Sequence, residues 1–218
     1  MATPSAAPAD DLAQVSEAEA RLFATVRALD DADMRSPSLL PDWSVGHLLT
    51  HLARNADSHA RRTAAAVAGR FVDQYPGGLA ERAAAIEAGA GRRAAVILED
   101  VAVSSARMLE GWAAVPDRAW AARSRDASGR ERTLAELPGR RRLQVEVHLV
   151  DLGTGPTHRD WSDAFVADQL AQLRDGLAAR LPDGATAPPD GTLDDRDELA
   201  WLLGRLTRAD LPVLGPWS

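Results

Sequence analysis

Residues 143–153, LQVEVHLVDLG, decide the fold because the same letters fit two different elements. Apolar residues alternate with polar ones from Leu143 to Leu149, which is the two-residue period of a half-buried strand. A helix through the same segment would place Gln144 and His148 one turn apart on a single face. The segment therefore predicts either a strand with a polar outer face or a helix that carries a pair of metal-ligand side chains.

The composition of the 218-residue chain indicates a globular protein rich in helix. Hydrophobic residues make up 45% and charged residues 26%, a balance that excludes a disordered chain. Alanine and arginine are abundant, and both have a high intrinsic helix propensity. The formal net charge of -7 argues against a general nucleic-acid-binding protein, which needs a basic surface.

The sequence gives no sign of a membrane span or a secretory signal. Runs of about eighteen apolar residues do not occur, and MATPSAAPADD lacks the basic start and apolar stretch of a signal peptide. We therefore expect a cytoplasmic protein. The chain contains no cysteine, which excludes disulfides, thiolate metal ligands and cysteine nucleophiles. Any thiol chemistry must use a thiol that comes from outside the chain.

The pattern of apolar residues and helix breakers predicts a bundle of about four helices followed by a smaller region. An apolar stripe predicts a first helix over residues 10–31. Pro41 then interrupts the chain, and Asp42 or Ser44 can cap a long second helix that runs to about Gly69.

Later segments give weaker helix signals. A third helical stretch is predicted over roughly 79–115, and Gly89 and Gly91 weaken it. Residues 116–137 contain the turn-like sequence Asp-Ala-Ser-Gly and are predicted to form a long connection. Two further helices are expected after it, over residues 162–181 and 196–207.

The segment GTGPTHRDW, residues 153–161, is the best candidate for a linker because of its glycine, threonine and proline. We therefore expect three regions in the chain. They are a flexible tail over residues 1–10, a helix bundle over residues 11–155 and a small C-terminal domain over residues 156–218.

Among the residue types of this chain, histidine gives the clearest indication of a possible metal site. His47, His51 and His59 are expected on roughly one side of the second helix, and HLLTH gives two imidazoles at a spacing that can bind one metal ion. A solvated helix face is the alternative, and on spacing alone it is the more frequent one. His148 lies in an apolar run, which by itself is more typical of a buried histidine with satisfied hydrogen bonds.

Arginines at two places are candidates for anion binding. The adjacent arginines at positions 140–142 more often form a solvated face, because they point in three directions from a helix. Arg205 is a single charge within a predicted apolar helix. It is either an ion-paired or snorkelling residue or a fork that binds a carboxylate. Phosphate-binding glycine loops, nucleophile elbows and HExxH motifs are absent from the sequence.

Four segments, in order from about residue 10 to the C-terminus, together carry a resemblance to a known family. They are LLPDWSVGHLLTHLARNADSHARR, QYPGGLAERAAAIEAGAGR, LAELPGRRRLQVEVHLVDLGTG and ELAWLLGRLTRADLPVLGPW. These segments resemble the mycothiol-dependent maleylpyruvate isomerase family, which is a branch of the DinB-like metal-binding helix bundles. The resemblance implies a mainly α fold, with a DinB-like four-helix bundle followed by a small α+β C-terminal domain.

The resemblance implies a metal ion, zinc or another divalent metal, held by His51, Gln144 and His148. Members of the family have a glutamate at the second of these positions, where this chain has an amide. An amide oxygen is a weaker zinc ligand than a carboxylate, so we expect weaker metal binding. The family's functional arginine corresponds to Arg205. His47 and His59 match no ligand of the family. They are expected either on the surface or in contact with the ligand side chains instead of the metal.

The resemblance also favours a helix over a strand for residues 143–153, and so does Pro138, which suits the first turn of a helix. On that helix Arg140, Gln144, His148 and Asp151 share one face, which would meet His51 across the bundle. Asp151 is expected to orient an imidazole. Glu146, two residues from His148, would point away from the ligands.

The activity implied by the resemblance is a mycothiol-dependent cis–trans isomerisation of maleylpyruvate-like substrates. Mycothiol adds to the double bond, the former double bond rotates, and the thiol leaves. The alternatives are a mycothiol S-transferase and a non-catalytic bundle with a degraded metal site, which Gln144 keeps open. We expect a divalent metal and mycothiol as cofactors, a small-molecule substrate, no nucleic-acid or membrane partner, and a monomer.

Overall fold

The computed structural model describes residues 7–215, which form two compact units. The first unit extends to Thr154 and the second begins at Gly155, so the division falls within the GTGPTHRDW segment. The first helix begins at Ala9, inside the stretch expected to be a flexible tail. Residues 1–6 of that expected tail lie outside the described part of the chain.

The first unit is built around a bundle of long helices. Helices α1, α3, α5 and α6 pack against one another, and α4 lies along α3. The mainly α fold class with an N-terminal four-helix bundle is therefore confirmed. The helices of this unit are α1 (Ala9–Val26), α2 (Asp31–Arg35), α3 (Val45–Val67), α4 (Gly78–Ala90), α5 (Ala94–Ala113) and α6 (Leu137–Asp151).

Local signals in the sequence explain where α3 begins. The Ser44 hydroxyl accepts a hydrogen bond from the backbone N–H of His47 at 3.3 Å. The Nδ1 atom of His47 in turn lies 3.2 Å from the backbone nitrogen of Ser44. His47 thus takes the place that glutamate or glutamine usually has in a capping box. Of the two predicted caps, Ser44 is the one used, and Asp42 precedes the helix with a φ of 64°.

Residues 143–151 are helical, which settles the choice that their alternating pattern left open. Helix α6 has a proline in its first turn, as predicted from Pro138. Its second half is buried nearly all round, since Val145, Glu146, Val147 and His148 are each at most 8% exposed. The alternation therefore does not separate an inner from an outer face, because the polar residues of α6 are also inside the bundle.

Two hydrophobic clusters fill the bundle. The larger one joins α1, α3, α5 and α6, and the smaller one lies around the side chains of Trp112 and Trp120. Burial of apolar surface on this scale is the main force that holds the helices together. Large members of the first cluster are Leu22, Leu48, Leu49, Leu52, Ile97, Val101, Val145 and Leu149.

A short hairpin lies in the segment predicted to be only a long connection. Strands β1 (Arg123–Arg125) and β2 (Glu131–Thr133) pair antiparallel. The turn between them is fixed by Asp126, whose Oδ1 atom accepts hydrogen bonds from the backbone N–H groups of Ser128 and Arg130, both at 2.9 Å. Strands of three residues are too short to show a period in the sequence, which is why the prediction missed them.

The second unit contains two α-helices that pack against each other, α7 (Asp163–Leu173) and α8 (Asp195–Leu202). The predicted helix over 162–181 changes to 3-10 geometry from Arg174 on. The helix predicted over 196–207 ends at Leu202, because Gly204 takes a left-handed backbone with φ 72°. Arg205 therefore follows α8 instead of lying within it, which corrects the prediction.

Strands are absent from the described part of the second unit, residues 155–215, although the resemblance implies an α+β domain there. The connection from residue 181 to residue 194 carries several prolines and glycines, which do not support a strand ladder. The chain's described strand pair instead belongs to the first unit. None of the helices within residues 7–215 is both long and apolar enough to cross a membrane.

Helices α3 and α4 approach each other closely at two glycines. A Cβ atom added at Gly46 would lie 2.4 Å from the backbone oxygen of Ala90. One added at Gly89 would lie 2.5 Å from the Cγ2 atom of Thr50. Both distances are shorter than any normal contact, so the glycines are what allows α4 to lie against α3.

We predict that Gly46→Ala lowers the free energy of unfolding by about 1–3 kcal/mol, because the backbone of Ala90 must move to admit the methyl group. Gly111→Ala in α5 is the matched control, since its Cβ would make an ordinary 3.8 Å contact with Thr63. It should leave stability unchanged or raise it by up to about 1 kcal/mol. Urea unfolding of both variants measures this, and equal effects would contradict the close-packing account.

Candidate active site

The side chains predicted to hold a metal lie together in the first unit. His51 projects from α3, and Gln144 and His148 project from successive turns of α6. The Nε2 atom of His51 is 3.2 Å from the Oε1 atom of Gln144. The two imidazole rings are nearly perpendicular, with centroids 5.0 Å apart. We call these three residues the ligand trio.

Arg141 holds α6 in register with α3 beside the ligand trio. Its guanidinium is fully buried and donates hydrogen bonds to Glu19 on α1 at 2.6 Å. It also donates to the backbone oxygen of Leu52 at 2.8 Å and to the side-chain oxygen of Asn55 at 2.9 Å. The prediction that residues 140–142 form a solvated face is therefore wrong for Arg141, and also for Arg142, which is 5% exposed.

His148 is oriented by the carboxylate of Asp151, as the sequence predicted. The Nδ1 atom of His148 lies 2.9 Å from the Oδ2 atom of Asp151, three residues further along α6. A carboxylate at this position keeps the proton on Nδ1, so that Nε2 carries the lone pair that a metal ion needs.

The surroundings of His51 favour the neutral form of its imidazole. Burial lowers the pKa of its imidazole well below the usual value, and the charges of His148 and Arg82 lower this pKa further. The Nη2 atom of Arg82 lies 3.0 Å from Nδ1 of His51, and the Trp43 ring lies edge-on with its centroid 5.6 Å away. Arg82 comes from α4, and no pattern in the sequence singled it out.

The other three histidines make contacts outside the ligand trio. His47 caps α3, and its Nε2 atom lies 3.2 Å from the Oε2 atom of Glu87. His158 in the second unit pairs with Asp197 at 2.8 Å. His59 is only 2% exposed and packs against Trp112 with ring centroids 5.6 Å apart. It is a core residue of the bundle, so the expectation of a surface position does not hold.

The donor set fits a divalent ion with neutral ligands. Two ligands of a tetrahedral zinc ion are about 3.4 Å apart when each bond is about 2.1 Å long. The 3.2 Å between His51 and Gln144 is close to this spacing. Within residues 7–215 no group of three histidine, aspartate or glutamate side chains could hold a metal, so an ion at this place would need the amide of Gln144 as its third donor. Glu146 does not replace it, since it pairs with Arg21 on α1.

Arg205, the other predicted site residue, belongs to the second unit. Its guanidinium donates a hydrogen bond to the backbone oxygen of Leu203 at 2.7 Å. It lines a cavity of about 340 Å³ within this unit, together with Arg180 and Trp201. A guanidinium at the wall of such a cavity can bind a carboxylate through two parallel hydrogen bonds.

The first unit is a four-helix bundle in which His51 on one helix faces Gln144 and His148 on another. This arrangement belongs to the class of helix bundles with a candidate metal site. The family model for the mycothiol maleylpyruvate isomerase N-terminal domain matches residues 15–153, well over half of the chain. The protein therefore belongs to the mycothiol maleylpyruvate isomerase family, as the sequence resemblance predicted.

Two solved structures share the fold. The chain is 20% identical to a mycothiol-dependent maleylpyruvate isomerase, with a TM-score of 0.83. It is 18% identical to a histidine-to-alanine mutant of a mycothiol-dependent maleylpyruvate isomerase, with a TM-score of 0.85. Each alignment covers 96% of this chain and 97% of the other. No curated protein matches the sequence. At such identities the similarity shows the fold alone.

We predict that His59 makes the protein less stable at mildly acidic pH. Burial lowers the pKa of His59 well below its usual value, and the charges of Arg62, Arg141 and Arg140 lower it further. The unfolded chain therefore takes up a proton below about pH 6.5 that the folded chain does not. This reduces the free energy of unfolding by up to about 1.4 kcal/mol per pH unit as the pH falls.

Unfolding by urea between about pH 7.5 and pH 5.5 measures this effect. In His59→Gln, which cannot titrate, the decrease in stability over this range should be smaller than in the wild type. The difference in the free energy of unfolding between the two proteins at the higher pH measures the effects of the substitution that do not depend on protonation. An unchanged pH dependence would contradict the assignment of His59 as a buried neutral residue.

Proposed function

We propose that the protein is a mycothiol-dependent cis–trans isomerase that acts on maleylpyruvate-like substrates. The observation that carries this proposal is the ligand trio, which brings two imidazoles and an amide oxygen together in a bundle of the isomerase family. The absence of cysteine supports it, because the nucleophilic thiol must then be a separate molecule.

In this proposal His51, Gln144 and His148 hold a divalent metal ion, zinc or another. When bound, the ion provides a positive charge at which a thiol loses its proton at neutral pH, although a free thiol has a pKa of about 8.5. The residues of the chain hold its ligands in place. Asp151 fixes the ring of His148, and Arg141 fixes the separation of α6 and α3.

The reaction needs a nucleophile and a way to hold the substrate. The thiolate forms a C–S bond to one carbon of the double bond, and the electron pair moves to the conjugated carbonyl oxygen. The carbon–carbon bond is then single and rotates. The electron pair returns, the C–S bond breaks, and the trans isomer leaves with the thiol regenerated. Arg205 is proposed to bind a carboxylate through its guanidinium.

S-transfer is a second candidate, because the same activated thiol could attack an electrophile and stay attached to it. The amide at position 144 also supports a third candidate, a bundle that has lost its metal and its catalysis. We favour the isomerase, because a degraded site would have no reason to keep His51, His148 and its partner Asp151 in this arrangement. The proposal includes a monomeric cytoplasmic protein that binds no nucleic acid.

A thiol-dependence assay tests the proposed function. Purified protein is mixed with zinc, mycothiol and maleylpyruvate, and the absorbance of the enol is followed. We predict isomerisation with the thiol and none without it, and a rate about 10–100-fold lower in Asp151→Asn, which leaves His148 poorly oriented. Zinc binding without isomerisation, together with a thiol conjugate of an added electrophile, would favour S-transfer. No activity of either kind would favour the non-catalytic bundle.

We predict that Gln144→Glu binds zinc at least about tenfold more tightly than the wild type, which corresponds to about 1.4 kcal/mol. A carboxylate adds a negative charge and is a stronger zinc ligand than an amide. Competition with a chromophoric chelator measures the affinity. Gln172→Glu, an exposed residue in α7, is the control for the added charge. Equal affinities of wild type and Gln144→Glu would exclude position 144 as a ligand.

A further inference from the structure

Arg82 makes an unusual contact for a residue beside a candidate metal ligand. Its guanidinium can only donate hydrogen bonds, so the Nδ1 atom of His51 must be the acceptor. Because Nδ1 accepts this hydrogen bond, the ring carries its proton on Nε2, where it donates to the Oε1 atom of Gln144 at 3.2 Å. Arg82, His51 and Gln144 thus form a chain of hydrogen bonds with a single direction.

This direction is opposite to the one that metal binding requires. A metal ion at Nε2 of His51 needs the lone pair there, so the proton of the neutral ring must move to Nδ1. An N–H group at Nδ1 would then face the N–H groups of Arg82, with no acceptor between them. Ligand histidines normally have a carboxylate or a carbonyl oxygen at this position, as His148 has in Asp151. The Arg82 contact and metal ligation by His51 therefore exclude each other.

Arg82 has few partners other than His51. It is half-buried, and its guanidinium carbon lies 5.8 Å from the centre of the Tyr75 ring. Within residues 7–215 its hydrogen-bond partner is the Nδ1 atom of His51. Among residues 7–215 no carboxylate forms an ion pair with it. By contrast, Arg54 and Arg92 nearby both pair with Asp100. A charged guanidinium without a carboxylate partner, next to the ligand trio, is a suitable partner for a carboxylate from a ligand.

We propose that Arg82 is a positioning residue that couples carboxylate binding to metal binding. Without a carboxylate ligand, Arg82 holds His51 in the tautomer that cannot ligate through Nε2. A bound carboxylate draws the guanidinium away from Nδ1 and frees His51 to ligate the metal. The metal site is then completed when a carboxylate ligand such as the substrate is present. This inference rests on the proposed function only in assuming a metal at the ligand trio and a carboxylate substrate.

Zinc affinity, measured without thiol and without turnover, tests the coupling. Each protein is titrated with zinc against a chelator, alone and with saturating maleate as a carboxylate probe. In the wild type we expect maleate to tighten zinc binding by at least about fivefold, the lower end of typical coupling between two ligands. In Arg82→Gln we expect tighter zinc binding than in the wild type without maleate, and little further change when maleate is added.

Arg93→Gln is the matched control, because it removes the same charge from an exposed residue just before α5. We expect its zinc affinity, with and without maleate, to equal that of the wild type. Tighter zinc binding by Arg93→Gln as well would show that the loss of a positive charge is enough to cause the effect. Arg82→Lys retains a charge for binding the carboxylate without the planar fork. We expect it to show an intermediate coupling, and circular dichroism checks that each variant is folded.

The coupling is overturned if Arg82→Gln binds zinc with the affinity of the wild type or more weakly. It is also overturned if maleate has the same effect on both proteins, or if neither protein binds zinc with maleate present. A negative result in the isomerase assay would not by itself overturn the coupling, because the zinc titration needs no mycothiol. The two proposals can therefore fail separately.

Discussion

The buried ion pair between Arg141 and Glu19 is the interaction on which the arrangement of the first unit depends. A guanidinium inside a helix bundle is strongly destabilising unless its charge and its N–H groups are satisfied. Here the partners come from three other helices: a carboxylate on α1, two oxygens on α3, from Leu52 and Asn55, and a serine hydroxyl on α5. Because Leu52 follows His51 directly, the position of Arg141 also sets how α6 presents its polar side chains to His51.

The sequence predicts the features of the fold that depend on local interactions, but not those that depend on partners distant in the chain. Breakers and caps such as Ser44, Gly91 and Pro138 predict most helices of the first unit, since capping is a local interaction. The family resemblance, with the spacing of residues on α6, indicated the ligand trio. Arg141 and Arg82 could not be recognised in this way, because their partners are distant in the chain and an arginine run is usually solvated. The hairpin around Asp126 was missed because its strands are too short.

The candidate site has an electrostatic character that follows from its residues. Its donors are neutral, and Arg82 and Arg141 add positive charge around His51, whose pKa is lowered first by burial and then by these neighbours. A positive surrounding weakens the binding of a metal cation and favours an anion such as a thiolate or a carboxylate. The amide of Gln144, which carries no negative charge, acts in the same direction. Metal, thiol and substrate are therefore expected to support one another's binding.

X-ray absorption at the zinc edge, on protein loaded with zinc and mycothiol in the presence of maleate, reports which atoms surround the bound metal. We expect one zinc ion per chain, with scattering from two imidazoles, an oxygen and one sulfur atom. The sulfur can come only from mycothiol or from methionine thioethers, since the chain has no cysteine, and it should disappear when the thiol is omitted. Zinc without imidazole ligands, or a zinc site without sulfur when mycothiol is present, would contradict the account.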